Sequence, residues 1–188
     1  MSKDLEKLAE SLGENKNPSQ PPIHLWDPDL SGDIDILIRR DGSWIHEGGE
    51  IKRQSLVNLF ASILRRESDG EYYLVTPVEK WRLRVECLPL LIVDFDLREE
   101  GTDSQVLQVE TNTGRRYEVG EKYPLFTPDD SISPEGVATV ELEHGLAALF
   151  SRAAWLRLVE AAANIEKDRE SDEEGLFLLS HSQHFRLG

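Results

Sequence analysis

The sequence holds one cysteine and one methionine in 188 residues. A single thiol, Cys87, cannot close an internal disulfide, so nothing argues for an oxidising compartment. Long apolar runs are missing too. The longest, residues 88–93, contains Pro89 and falls far short of the roughly 20 residues a membrane-crossing helix needs. The N-terminus, MSKDLEKLAES, lacks the apolar stretch and small-residue cleavage site of a secretory leader. A cytoplasmic location and no membrane partner are expected. Net positive charge is also absent: 21 basic against 36 acidic side chains leaves −15. That excess argues against a nucleic-acid polymer as partner, because such binding needs a basic footprint.

What is present suits a folded protein. Four Trp, four Tyr and six Phe supply core anchors, and 39% hydrophobic content excludes the low-hydrophobicity signature of disorder. Charge is uneven. Residues 39–84 carry nine basic and seven acidic side chains, whereas residues 85–188 carry nine and 21. An acidic chain thus contains one mildly basic island.

Periodicity locates the elements. Leu5, Leu8, Ala9 and Leu12 have helical spacing, and a proline-rich polar stretch at 14–22 reads as a flexible linker. Ile34, Ile36 and Ile38 alternate as in a strand, Asp41-Gly42 signals a tight turn, and 43–46 returns. Gly48-Gly49 breaks that strand. The stripe Leu56, Leu59, Phe60, Ile63 and Leu64 predicts a helix over about 53–66. Strands are expected at 72–76, 81–86, 89–97, 105–110, 115–119, 123–127, 137–143 and 146–150. Ser151 can cap a second helix at 152–166, and two further strands follow at 176–180 and 184–187.

The chain also matches itself. Residues 73–83 align with 177–187, bringing Leu74 onto Leu178, Thr76 onto Ser180 and Arg82-Leu83 onto Arg186-Leu187. Arg53 to Leu59 align with Arg152 to Leu158, and Ile34, Ile36 and Ile38 with Ala138, Val140 and Leu142. All gaps fall in loops, and the first copy carries four extra residues, 47–50. A duplicated strand–strand–helix–strand motif is expected over 33–86 and 137–187, with shared strand order and helix placement. The resulting fold class is α+β: two related subdomains at 23–87 and 88–188, each a mostly antiparallel sheet with one packed helix, preceded by segment 1–22.

Signatures of catalysis are missing. No G-x-S-x-G elbow, P-loop or G-x-G-x-x-G occurs, and two glycines break any zinc helix at His46-Glu47. His181-x-x-His184 has no further Cys or His near it in sequence to complete a zinc set. Neither a metal nor a cofactor is expected. The leading expectation is a non-catalytic module for a small anionic ligand, of nucleotide type. Gly48 and Gly49 before a helix start would let an anion approach free N–H groups, with His46, Lys52 and Arg53 beside it. Trp81 would stack on a base, Lys80 and Arg82 would meet a phosphate, and Asn112 and Arg115 would join from the second repeat. A protein–protein adaptor is the first alternative. A hydrolase or transferase with His46 as general base is the second.

Several strings carry a resemblance. Trp26-x-Pro28, Gly32-x-Ile34-x-Ile36, Gly42-x-Trp44-x-His46-x-Gly48-Gly49-x-Ile51-x-Arg53, Tyr73-Leu-Val-Thr-Pro77-x-Glu79-Lys-Trp81 and Thr111-Asn112-x-Gly114 together resemble the bacterial family called Domain of Unknown Function 1285. Glu50 departs from it, standing where proline is expected. The resemblance implies duplicated motifs, a C-terminal part loosely similar to pleckstrin-homology folds, a ligand site between the halves and a signalling role. It implies no reaction.

Overall fold

The computed structural model describes residues 21–133, 136–167 and 175–187. The helical stripe at 3–12, most of the linker and the acidic loop after the second helix lie outside the described residues. The chain divides into two compact units, 1–86 and 87–188.

In the N-terminal unit β1 (Leu30–Ile38), β2 (Trp44–His46) and β3 (Gly49–Glu50) form one antiparallel meander. After α1 (Gln54–Ser62), β4 (Leu64–Arg66), β5 (Tyr72–Val75) and β6 (Lys80–Val85) form a second. The two join through β1 and β6, which run parallel, giving the order β3-β2-β1-β6-β5-β4. Ile36 and Ile38 point to the core, as their alternation requires. Trp44 stacks on Phe60 of α1 at 6.3 Å.

α1 is shorter than its stripe predicts. Ser62 donates to the Leu59 carbonyl, Ile63 leaves the helical region at φ −113° and ψ 9°, and Leu64 to Arg66 pair with β5. Ile63 and Leu64 are fully buried either way. A short apolar run fits a helix stripe and a buried strand equally, and here the open edge of β5 claims it.

The C-terminal unit contains β7 (Leu90–Arg98), β8 (Val106–Thr111), β9 (Arg116–Glu118), β10 (Leu125–Phe126), β11 (Thr139–Glu141), β12 (Ala147–Phe150), α2 (Arg152–Lys167), β13 (Phe177–Ser180) and β14 (Gln183–Arg186). Its main sheet runs β9-β8-β7-β12-β11-β10, again two antiparallel meanders joined by a parallel pair. In both units the first strand of the first meander lies beside the last strand of the second.

The duplication is therefore present, in a register different from the expected one. The sheets correspond over 30–85 and 90–150, not over 33–86 and 137–187. The helix moves: α1 stands between the meanders, α2 after them. The hairpin aligned with β5–β6 does not enter the second sheet either. β13 and β14 form a separate two-stranded sheet. Side chains anchor that hairpin. Gln105 donates to the Leu179 carbonyl at 2.7 Å, and the Ser180 hydroxyl bridges the Leu107 N–H and the Val119 carbonyl at 3.0 and 2.5 Å. Sequence matching found the succession hairpin, helix, hairpin, which is local. Which strands become neighbours is a non-local choice that short periodicities do not report.

Candidate functional site

The expected anion site combined a glycine loop with a helix start, and the structure separates the two. Glu47 and Gly48, at φ 49° and 75°, form the two-residue turn joining β2 to β3, and Gly49 pairs with His46. Residues 50–53 then intervene before α1. Gly48 is needed for its left-handed turn, not for ligand approach.

His46 is largely enclosed, its side chain 10% exposed. Its Nδ1 donates to the Asp35 carbonyl at 2.9 Å. In the neutral ring that leaves Nε2 as an acceptor, and this atom is buried without a hydrogen bond, 3.8 Å from a Glu47 carboxylate oxygen. Among the described residues no hydroxyl or thiol hydrogen-bonds this nitrogen, so the hydrolase reading gains no support.

Lys80 and Arg82 are committed to partners within the unit. Arg65 and Lys80 both bond Glu67, with Lys80 Nζ 3.2 Å from its carboxylate and 5.3 Å from the centre of the Tyr73 ring. Burial raises the Glu67 pKa, but the Arg65 and Lys80 bonds outweigh it and hold the carboxyl below its ordinary value. Arg65 also donates to the Ile23 and Trp26 carbonyls at 3.2 and 2.8 Å, fixing the entering chain against β4. The Tyr73 hydroxyl donates to Asp69 at 2.7 Å, and this bond, with burial, pushes its pKa up to about 12. Arg82 makes a two-pronged bond to Asp33 at 2.7 and 3.1 Å, which lowers the Asp33 pKa, and Arg84 reaches Asp35 at 2.8 Å. Trp81 is not an open stacking face. It donates to Glu79 at 3.3 Å and lies against Gly32, where an added Cβ would stand 3.3 Å from the ring.

The remaining two expected residues belong to the C-terminal unit. Asn112 exchanges bonds with the Leu91 backbone at 2.8 and 3.2 Å, which joins the β8–β9 turn to β7. Arg115 bonds Glu143 at 2.6 Å and packs over Tyr117, whose pKa burial raises. A groove of about 270 Å³ on this unit's sheet is lined by Asp94, Asp96, Glu110 and Arg116 among others, an acidic setting that does not suit an anion. No group of three or more His, Cys, Asp or Glu able to hold a metal occurs among the described residues.

Two expected residues keep their availability, and a third joins them. Lys52 and Arg53 are exposed, and among the described residues neither is in an ion pair. Arg53 is the N-cap of α1 and supplies no side-chain cap, in contrast to Ser151, which accepts from Ala154 at the start of α2. The β-register adds Arg39. Its N–H bonds the Ser43 carbonyl at 2.9 Å, while the Ile51 N–H bonds the Trp44 carbonyl at 2.8 Å. Arg39, Ser43 and Lys52 therefore align across adjacent chains at the end of the sheet where α1 begins. Sequence reasoning missed Arg39, since 13 residues separate it from Lys52 and only the three-stranded register brings them together. It also missed Arg65, which lay inside the overextended helix, and its partner Glu67 just beyond the helix end.

Two family models cover the chain. The N-terminal domain of a domain of unknown function, DUF1285, matches residues 21–88, and the DUF1285 C-terminal domain matches 89–187. The chain belongs to the DUF1285 family. A crystal structure of a DUF1285 protein from Silicibacter pomeroyi DSS-3 is 36% identical, with a TM-score of 0.78 over 95% of this chain and 93% of that one. Another DUF1285 protein, from Shewanella baltica OS155, is 34% identical, with a TM-score of 0.55 over 68% of this chain and 92% of that one. None of the curated proteins matches. The strings that carried the DUF1285 resemblance have structural work here. Gly32 makes room for Trp81, Thr76 caps the 76–79 turn by accepting from the Val78 and Glu79 N–H groups, and Gly48 turns a hairpin. No helix among the described residues is long and apolar enough to cross a membrane.

Proposed function

We propose that the N-terminal unit is a non-catalytic module that binds a small phosphate-bearing or carboxylate anion at the start of α1. One observation carries this reading: Arg39, Lys52 and Arg53 are exposed and, among the described residues, none is in an ion pair, and Arg53 opens a helix start that its side chain does not cap. Helix N-termini favour anions through their free N–H groups and the helix dipole. Elsewhere in the unit Arg65, Lys80, Arg82 and Arg84 are each matched to a carboxylate and offer little to a ligand. Asp41 and Glu50 flank the cations and set a limit on how much negative charge the site tolerates. The base-stacking part of a nucleotide site has no support, because Trp81 is occupied by Gly32 and Glu79. The ligand class is thus narrowed to the anionic group itself.

Thermal-shift titration with inorganic phosphate, phosphorylated metabolites and nucleotides, at low and raised salt, tests this. A binding anion raises the melting temperature, and Arg53→Ala weakens that effect roughly tenfold to a hundredfold, the loss of one charge-assisted contact of about 1.5–3 kcal/mol. Arg152→Ala leaves it unchanged. If no anion stabilises the protein, or if the two variants respond alike, the reading is wrong. An adaptor role is favoured by a different observation, the exposure of the large apolar side chains Leu25, Leu30 and Val78.

A further inference from the structure

Residues 21–29 are attached to the N-terminal unit differently from the strands that follow. Among the described residues, the backbone hydrogen bonds of this segment stay within it: Ile23 donates to Pro21, Leu25 to Pro22 and Trp26 to Ile23. Ladder pairing begins only at Leu30, opposite Lys80. Ile23 is the one buried residue of the segment, whereas Leu25, Asp27 and Asp29 are exposed. A stretch with one buried apolar side chain and no described backbone bond to the sheet belongs to the class that opens locally, well before the sheet unfolds.

A side chain supplies the tie that the backbone does not. Arg65 of β4 donates from Nη1 to the Ile23 carbonyl at 3.2 Å and to the Trp26 carbonyl at 2.8 Å, bracketing the short 3-10 turn Ile23–Leu25. Glu67 holds the guanidinium in turn by accepting from Nη2, and Lys80 Nζ shares that carboxylate at 3.2 Å. The Arg65 side chain is 15% exposed, and its Nε is buried without an acceptor. An unsatisfied buried donor disfavours the closed arrangement, and water relieves it once the segment lifts. The geometry points to a strap: residues 21–29 lift from the folded N-terminal unit as one piece, with Arg65 as the latch that closes them. Opening uncovers the Arg65 guanidinium and the seat of Ile23. The device sits on β4 and is separate from the cations at the start of α1.

Native-state hydrogen exchange of the full chain, in water and at low denaturant, tests the strap. The Leu25 and Trp26 amides are bonded within the segment and report its closure, whereas the ladder amides of β5 and β6 report the sheet. The strap amides should exchange about tenfold or more faster than the ladder amides, with little dependence on denaturant. Arg65→Met keeps most of the stem and removes the donors. It should speed the Leu25 and Trp26 amides roughly tenfold to a hundredfold, the loss of a charge-assisted contact, and change the ladder amides by a smaller factor. Wild-type strap amides that exchange only together with the ladder amides would overturn the proposal, whether or not the variant folds. So would strap amides indifferent to Arg65→Met, which would put the latch elsewhere. An equal acceleration of strap and ladder would make Arg65 a brace of the whole unit, and it too would overturn the proposal.

Discussion

Ser180 offers the sharpest test of how the C-terminal unit is held together. Its hydroxyl is fully buried, accepts from the Leu107 N–H at 3.0 Å and donates to the Val119 carbonyl at 2.5 Å. In Ser180→Ala the methyl group fits, but the Leu107 N–H loses its acceptor in a dry site, and the Val119 carbonyl keeps none of its bond to this hairpin. An unsatisfied buried donor costs about 1–3 kcal/mol, so a loss of about 2–3 kcal/mol is expected once the second bond is included. For a unit of this size each kcal/mol moves the midpoint by about 4–8 °C, which predicts a fall of about 8–24 °C. Urea unfolding followed by circular dichroism gives the free energy. Hydrogen exchange locates it: protection should drop in β8, β13 and β14 and persist in β1–β6. Ser182→Ala, on the exposed turn of the same hairpin, is the control, with an effect within about 0.5 kcal/mol. If Ser180→Ala loses no more stability than Ser182→Ala, the hydroxyl bridge is not what anchors the hairpin.

Two further outcomes follow from the N-terminal unit. Gly32 has φ +141° with the Trp81 ring 3.3 Å from where a Cβ would stand, so Gly32→Ala should destabilise the unit by about 1–3 kcal/mol and shift the indole emission. Glu67, whose folded pKa lies below its ordinary value, stabilises the unit above the carboxylate range and loses that contribution as pH falls through the lowered value. Glu67→Gln should therefore lower the melting temperature at neutral pH, by the equivalent of about 1–3 kcal/mol, and flatten its acid limb. A variant curve parallel to wild type down to low pH would contradict that account.

Most elements of this chain were legible from local pattern, and the exceptions have local causes. The alternation of Ile34, Ile36 and Ile38, the Asp41-Gly42 turn and the Ser151 cap each state a backbone conformation within a few residues. Ile63 and Leu64 do not, because an apolar pair satisfies a helix stripe and a buried strand alike. The candidate site was harder for a different reason. Lysines and arginines announce charge, but whether a charge is available depends on partners distant in sequence: Asp33 for Arg82, Glu67 for Lys80, Glu143 for Arg115. Only Lys52 and Arg53 kept their availability, and Arg39 joined them through strand register.

The parallel pair at the centre of the N-terminal sheet also sets how that unit bears force. β1 opens the sheet and β6 closes it, and the two lie side by side pointing the same way. Tension applied at the two ends pulls β1 backward and β6 forward, so their shared hydrogen bonds are sheared together and cannot be opened one after another like a zipper. The Asp33–Arg82 and Asp35–Arg84 bridges span the same two strands and lie across the line of shear. A meander whose end strands sat at opposite edges would peel. This arrangement resists extension along the chain while leaving the outer strands β3 and β4 outside the load path.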